Sequence, residues 1–179
     1  MLIQAALMLL DGVITFFAGL LMLRFLMQAW RVSFANPIGN FTMQATNWLV
    51  KPLRRVLPGL FGLDLASLLP VLLLKAIYLL AVLAANGGLA LFDGGNLALT
   101  LALQSVFATT KLAINLLIIA IIGQAILSWV NPYHPIAGPI RQFTDPVLRP
   151  LRQFIPPIGG VDLSPLVALL LLQVVLIFL

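Results

Sequence analysis

Apolar residues run through this chain in four long blocks, Leu2–Trp30, Leu65–Phe92, Leu97–Val130 and Leu163–Leu179. About 20 helical residues cross the ~30 Å hydrocarbon core of a bilayer, so all four blocks are read as long enough to span. The fourth has 17 residues and stops on an apolar one; a short final helix and a truncated chain explain that equally well. All four should be helices, because a lone span must satisfy its own backbone hydrogen bonds.

Between the blocks the period changes. From Ile38 to Val56 the apolar residues are Ile38, Phe41, Ala45, Trp48, Leu49, Leu53 and Val56, close to the three-and-four spacing of one helical face. Asn40, Gln44, Asn47, Lys51, Arg54 and Arg55 take the other side. The segment before the fourth block repeats this, with Ile140, Phe143, Val147, Leu148, Leu151, Phe154 and Ile155 against Arg141, Gln142, Asp145, Arg149 and Arg152. A short helix with basic residues on one side and Trp or Phe on the other lies in the plane of a membrane surface. Pro52 and Pro150 each remove a backbone donor and predict a kink or break. Thr144-Asp145-Pro146 has the form of a helix start, a capping residue ahead of proline, and Asp162-Leu163-Ser164-Pro165 has it again. Capping accounts for both type and position of Asp64 and Asp162, so it is preferred to any chemistry there.

The two connectors are copies. At a fixed offset of 98 residues, Pro37-Ile38 meets Pro135-Ile136, Gln44 meets Gln142 and Thr46 meets Thr144. Lys51-Pro52-Leu53-Arg54 meets Arg149-Pro150-Leu151-Arg152, Pro58 meets Pro156, Gly62 meets Gly160, and Asp64-Leu65 meets Asp162-Leu163. Prolines, glycines and charges do not align by accident in a chain built mostly of Leu, Ala, Ile and Val, so this is a tandem duplication. Residues 1–92 form the first repeat and 97–179 the second, with a short turn at 93–96. The predicted fold is an all-α membrane protein, four transmembrane helices in two parallel helix–amphipathic connector–helix repeats.

Composition agrees: 62% of residues are hydrophobic and 8% charged, outside the range of soluble domains. Seven of the ten Lys and Arg residues lie in the connectors: Arg31, Lys51, Arg54, Arg55, Arg141, Arg149 and Arg152. The turn between the halves, Asn86-Gly87-Gly88 through Asp93-Gly94-Gly95-Asn96, has none. The positive-inside rule therefore puts both connectors in the cytoplasm and both termini outside. The expected partners are anionic lipid headgroups and unidentified membrane proteins, with homo-oligomers left open and no nucleic acid. The N-terminus lacks a positive n-region and carries Asp11 within its apolar run, so it reads as retained rather than as a signal peptide.

Four charges interrupt the apolar blocks: Asp11, Arg24, Lys75 and Lys111. Ionisable residues in a bilayer are costly and face partners or water. The 98-residue offset sets Lys111 level with Val13, so Asp11 and Lys111 are candidates for an ion pair or a common polar site. The alternative puts both at the outer interface, since Val13–Trp30 and Leu112–Val130 are each long enough to span. Arg24 should snorkel to the cytoplasmic surface. Lys75 should snorkel or meet a carboxylate on another chain, and Pro70 should bend its helix. The chain has no cysteine, a single histidine (His134) and no paired carboxylates, so neither an enzyme, a metal site nor a cofactor is expected.

The strings Trp129-Val130-Asn131-Pro132, Thr144-Asp145-Pro146, Arg149-Pro150-Leu151-Arg152, Ile155-Pro156-Pro157 and Gly159-Gly160-Val161-Asp162-Leu163-Ser164-Pro165 resemble the YggT family repeat. The first copy departs from it, with Asn47-Trp48 for Asp145-Pro146, Gly59 for Pro157 and Ala66-Ser67 for Ser164-Pro165. The resemblance implies a membrane protein linked to osmotic-shock tolerance and potassium uptake. Relatives of the YlmG type are linked to cell-division gene neighbourhoods, and plastid relatives to cytochrome b maturation and nucleoid organisation. It implies no catalytic residue. Two functions follow as expectations: binding or scaffolding through the basic connectors, or a component of ion or osmolyte transport.

Overall fold

The computed structural model describes residues 1–57, 63–92, 94–155 and 162–179. Six α-helices are present among them: α1 (Leu2–Ala29), α2 (Pro37–Val56), α3 (Leu65–Ala85), α4 (Gly94–Val130), α5 (Ala137–Phe154) and α6 (Ser164–Phe178). α1, α3 and the Asn96–Val130 part of α4 are long and apolar enough to cross a membrane. α6 is apolar but has 15 residues, about 22 Å at 1.5 Å per residue.

The helix boundaries correct several expectations. α3 stops at Ala85, short of the end of its apolar block at Phe92 but where the Asn86-Gly87-Gly88 turn begins: Gly87 takes a left-handed conformation (φ 70°) and a 3₁₀ turn, Gly88–Leu91, follows. α4 already begins at Gly94, inside the predicted turn. α2 runs through Pro52 and α5 through Pro146 and Pro150 without a break, and α3 continues across Pro70. Pro52, Pro146 and Pro150 lie on exposed faces, where a carbonyl left without its helical donor can meet water or headgroups. Thr144-Asp145-Pro146 therefore sits in the middle of α5 and starts no helix.

α1 turns into α2 through a tight cap. Arg31 adopts the left-handed conformation (φ 55°), and the Val32 and Arg31 N–H groups donate to the carbonyls of Met27 and Gln28. This is the paired bond pattern of a Schellman motif, with Arg where Gly is usual. The Asn36 Oδ1 then accepts from the Gly39 N–H at 2.9 Å, with Pro37 at the first helical position. A Cβ on Gly39 would lie 2.6 Å from the Phe34 backbone, so the turn requires glycine there.

α1 packs along α3, α3 along α4, and α6 against α4 and α5. The ring of Trp30, at the end of α1, meets Phe143 of α5 edge-on at 4.9 Å. Both connector helices thus lie at the same end of the bundle. The main apolar core gathers there, from Leu21, Met22 and Met27 of α1, Val50 of α2, Val71 of α3 and Leu117 of α4. Leucines facing lipid cost nothing, so helix association rests on close contact between small side chains. Ala18, Ala66, Ser67, Ser164 and Ala168 are all fully buried. The buried set also repeats at the 98-residue offset: Thr46 and Thr144, Val50 and Leu148, Ala66 and Ser164.

Candidate functional site

The inner face of α2 is not the predicted apolar stripe. It is Gly39, Thr42, Thr46 and Val50, while Phe41, Trp48 and Val56 point outward. Thr42 and Thr46 bury their hydroxyls by donating to the carbonyls of Ile38 and Thr42, at 2.8 and 2.6 Å. That lets polar residues pack against the spans. In α5, Phe143, Thr144 and Leu148 face inward and Phe154 outward.

In the first repeat this arrangement closes on Asp64. Its carboxylate accepts from Arg54 through both oxygens, at 3.2 Å from Nε and 2.5 Å from Nη2, and from the Ser67 hydroxyl at 2.6 Å. Arg54 Nη2 also donates to Gln28 Oε1 of α1 at 2.8 Å, so one guanidinium ties α1, α2 and the entry of α3 together. Bidentate arginine–carboxylate pairs are among the strongest hydrogen-bonded pairs. The Asp64 side chain is 3% exposed and that of Arg54 45%. Burial alone would raise the Asp64 carboxyl. The hydrogen bonds from Arg54 and Ser67, with the charges of Arg54 and Arg24, outweigh it and hold the group below its ordinary value. Asp64 occupies the N-cap position of α3, but its side chain bonds the arginine instead of the helix N–H groups.

Arg24 does not snorkel. It is buried, with Nη1 donating to Thr46 Oγ1 at 2.7 Å and Asn47 Oδ1 at 3.0 Å, and its Nε lies 3.9 Å from Asp64 Oδ2. The sequence reading missed Arg24, Gln28 and Ser67 as members of this cluster. The pairing of Thr46 with Thr144 was the available signal, because a buried polar row must be aimed at a partner.

In the second repeat Arg152 holds two carboxylates, Nη1 to Asp145 and Nε to Asp162, both at 2.9 Å. Asp162 also accepts from the Ser164 N–H at 2.9 Å, which gives it the capping role expected, one residue before the α6 N-cap. Burial opposes ionisation here too, and the Arg152 and Ser164 bonds outweigh it, holding the Asp162 carboxyl below its ordinary value. Thr144 meets the Gln124 side chain of α4 and bonds back to the Ile140 carbonyl at 3.1 Å.

The remaining candidates separate. Lys51 and Arg149 are exposed and form no ion pair among the described residues. Pro58, Pro156 and Gly160 lie outside the described residues. No ion pair joins Asp11 to Lys111 among the described residues: Lys111 is exposed, and Asp11 accepts from Thr15 Oγ1 at 3.2 Å. Lys75 instead reaches into the bundle and donates to the same Thr15 oxygen at 2.9 Å, with 9% of the residue exposed. The Lys75–Thr15–Asp11 chain replaces the predicted pair because α3, not α4, is the helix packed most closely on α1. His134 sits in an exposed turn, its Nδ1 accepting from the Ile136 N–H at 3.3 Å.

The family model CCB3/YggT matches residues 3–85 and 103–179, and the chain belongs to that family. It is 36% identical over 158 residues to an uncharacterized protein of Pseudomonas aeruginosa, covering 87% of this chain and 78% of the relative. An uncharacterized protein of Vibrio alginolyticus, from the proC 3′ region, is 36% identical over 153 residues, covering 84% and 80%. The uncharacterized protein YggT of Escherichia coli K12 is 34% identical over 169 residues, covering 93% and 85%. No solved structure matches.

Proposed function

We propose that this member of the CCB3/YggT family is a four-span inner-membrane protein that acts by binding, as a scaffold or assembly factor, and not by catalysis. α6 serves as the fourth span, entering the bilayer at Asp162 as α3 enters at Asp64. The distribution of Lys and Arg favours a cytoplasmic position for α2 and α5, with both termini in the periplasm. One observation carries the binding reading: each connector helix is clamped to the spans by an arginine–aspartate clasp while its outer residues stay free. Trp48 is 66% exposed, Phe41 and Phe154 are exposed with it, and so are Lys51, Arg55 and Arg149. Rigid, aromatic and basic surfaces at a membrane suit headgroups and partner proteins.

Arg54 and Arg152 belong to the clasps, so the test uses the free residues. The variant combining Trp48→Ala with Lys51→Gln, Arg55→Gln and Arg149→Gln should unfold at the wild-type temperature in detergent. Cross-linking from α2 and α5 in native membranes should then lose its defined partner adducts. An unchanged cross-linking pattern would refute the reading.

The second reading, ion or osmolyte transport under osmotic stress, is favoured by the Lys75–Thr15–Asp11 chain between α1 and α3. Liposomes containing only this protein should then carry a potassium flux that Lys75→Met abolishes. Absence of flux at any ionic gradient leaves the binding reading alone.

A further inference from the structure

The two clasps share a frame but not an inventory. In the first repeat α1 supplies two polar side chains to the junction, Arg24 and Gln28. The residues 98 positions on are Ile122 and Ile126, both exposed. The α4 residue that reaches Thr144, as Arg24 reaches Thr46, is Gln124, a neutral amide. The second junction therefore has one guanidinium between two carboxylates, Asp145 39% and Asp162 41% exposed, where the first has two guanidiniums on one buried carboxylate.

Beside Asp162 the structure opens a cavity of about 730 Å³ among α4, α5 and the entry of α6. That volume lies within the range of small-ligand sites. Its lining includes the polar residues Gln124, Arg141, Arg152 and Asp162 and the apolar residues Trp129, Leu166 and Leu169. We propose that this cleft binds one primary-amine phospholipid. The ammonium takes the place of the missing guanidinium at Asp162, the phosphate faces Arg141, and the acyl chains follow Leu166 and Leu169 along α6.

Charge complementarity selects this occupant. Arg141 and Arg152 against Asp145 and Asp162 balance, which suits a headgroup carrying both signs. An anionic headgroup would satisfy Arg141 but repel Asp162, and a quaternary ammonium has no N–H to donate to the carboxylate. A lone lysine or arginine of another protein would leave Arg141 and the apolar lining unfilled. The proposal rests on membrane embedding but not on partner capture by α2 and α5, and it stands if no protein partner is found.

The test is native mass spectrometry of the full chain in detergent, with phosphatidylethanolamine, phosphatidylcholine and phosphatidylglycerol of matched acyl chains in competition. The wild-type chain should retain the ethanolamine lipid at least about fivefold over either competitor. Gln124→Arg, which supplies the cation from within, should remain folded and lose the preference. Arg141→Gln should weaken retention of all three. Equal retention of the three lipids by the wild-type chain overturns the proposal, and so does preference for the glycerol lipid. Unchanged selectivity in folded Gln124→Arg overturns it too; should that variant not fold, the wild-type competition still decides. A partner's lysine cross-linked in the cleft, with no lipid retained, also overturns it.

Discussion

The first repeat closes two guanidiniums around a carboxylate that water does not reach, and the second spreads two half-exposed carboxylates around one guanidinium. The frame is the same in both. Thr46 and Thr144, Arg54 and Arg152, and Asp64 and Asp162 occupy matching positions and join matching elements. The differences are few: Asn47 against Asp145, and Arg24 on α1 where α4 offers Gln124. These exchanges reverse the net charge of the cluster and leave a cleft beside it. A duplicated clasp can thus serve as a buried fastener in one copy and an open site in the other.

Burial sets the sizes of the expected effects. Removing one partner of a buried ion pair strands the other charge, whereas an exposed pair is screened. Asp64→Asn should cost about 3 kcal/mol of stability, and Asp162→Asn about 1 kcal/mol or less. Unfolding in detergent measures both, and equal losses would break the comparison.

Acid should titrate part of the same contribution. The folded-state Asp64 carboxyl lies below its ordinary value of 3.8, so its stabilisation is fully present above that pH. It is lost as pH falls through the lower, folded-state value. Melting temperature against pH should therefore fall in acid for the wild-type chain, and less steeply for Asp64→Asn.

Exchanging the divergent pair sharpens the comparison further. Asn47→Asp gives buried Arg24 a charged acceptor and brings the first cluster to neutrality, a gain of about 1 kcal/mol. Asp145→Asn removes a half-exposed acceptor and should cost about 0.5 kcal/mol. The smallest effect belongs to the free cations: Lys51→Gln and Arg149→Gln should each shift stability by no more than about 0.5 kcal/mol. A larger loss would show that they too are fasteners.

Much of this architecture could be read from the chain. The apolar blocks placed α1, α3, α4 and α6, and the change of period placed α2 and α5, because a continuous apolar run and a one-sided apolar period are both visible in the order of residues. The boundaries were less legible. Pro52 and Pro150 predicted a kink or break, yet α2 and α5 continue through both, with the prolines on exposed faces where a freed carbonyl can meet water or headgroups. Thr144-Asp145-Pro146 had the local chemistry of a helix start, yet α5 begins seven residues earlier at Ala137. The clasps were half legible. The offset of 98 marked Arg54, Arg152, Asp64 and Asp162 as matched positions, but local capping explained the aspartates well enough to hide their arginines.

The amino-acid order by itself determined the membrane-helix character, the 98-residue repeat and the two connector helices, because each depends on periods and compositions that a single chain displays. Only the tertiary structure decided which charges meet. Arg24 looked like a residue that snorkels to the surface, and Lys75 like one that snorkels or meets a carboxylate on another chain; both instead end inside the bundle, on Thr46 and Thr15. Depth in the membrane follows from position along a helix. The partner of a buried charge follows from which helices pack side by side, and that is set by small residues such as Ala18 and Ala66, whose role appears only when the helices are in contact.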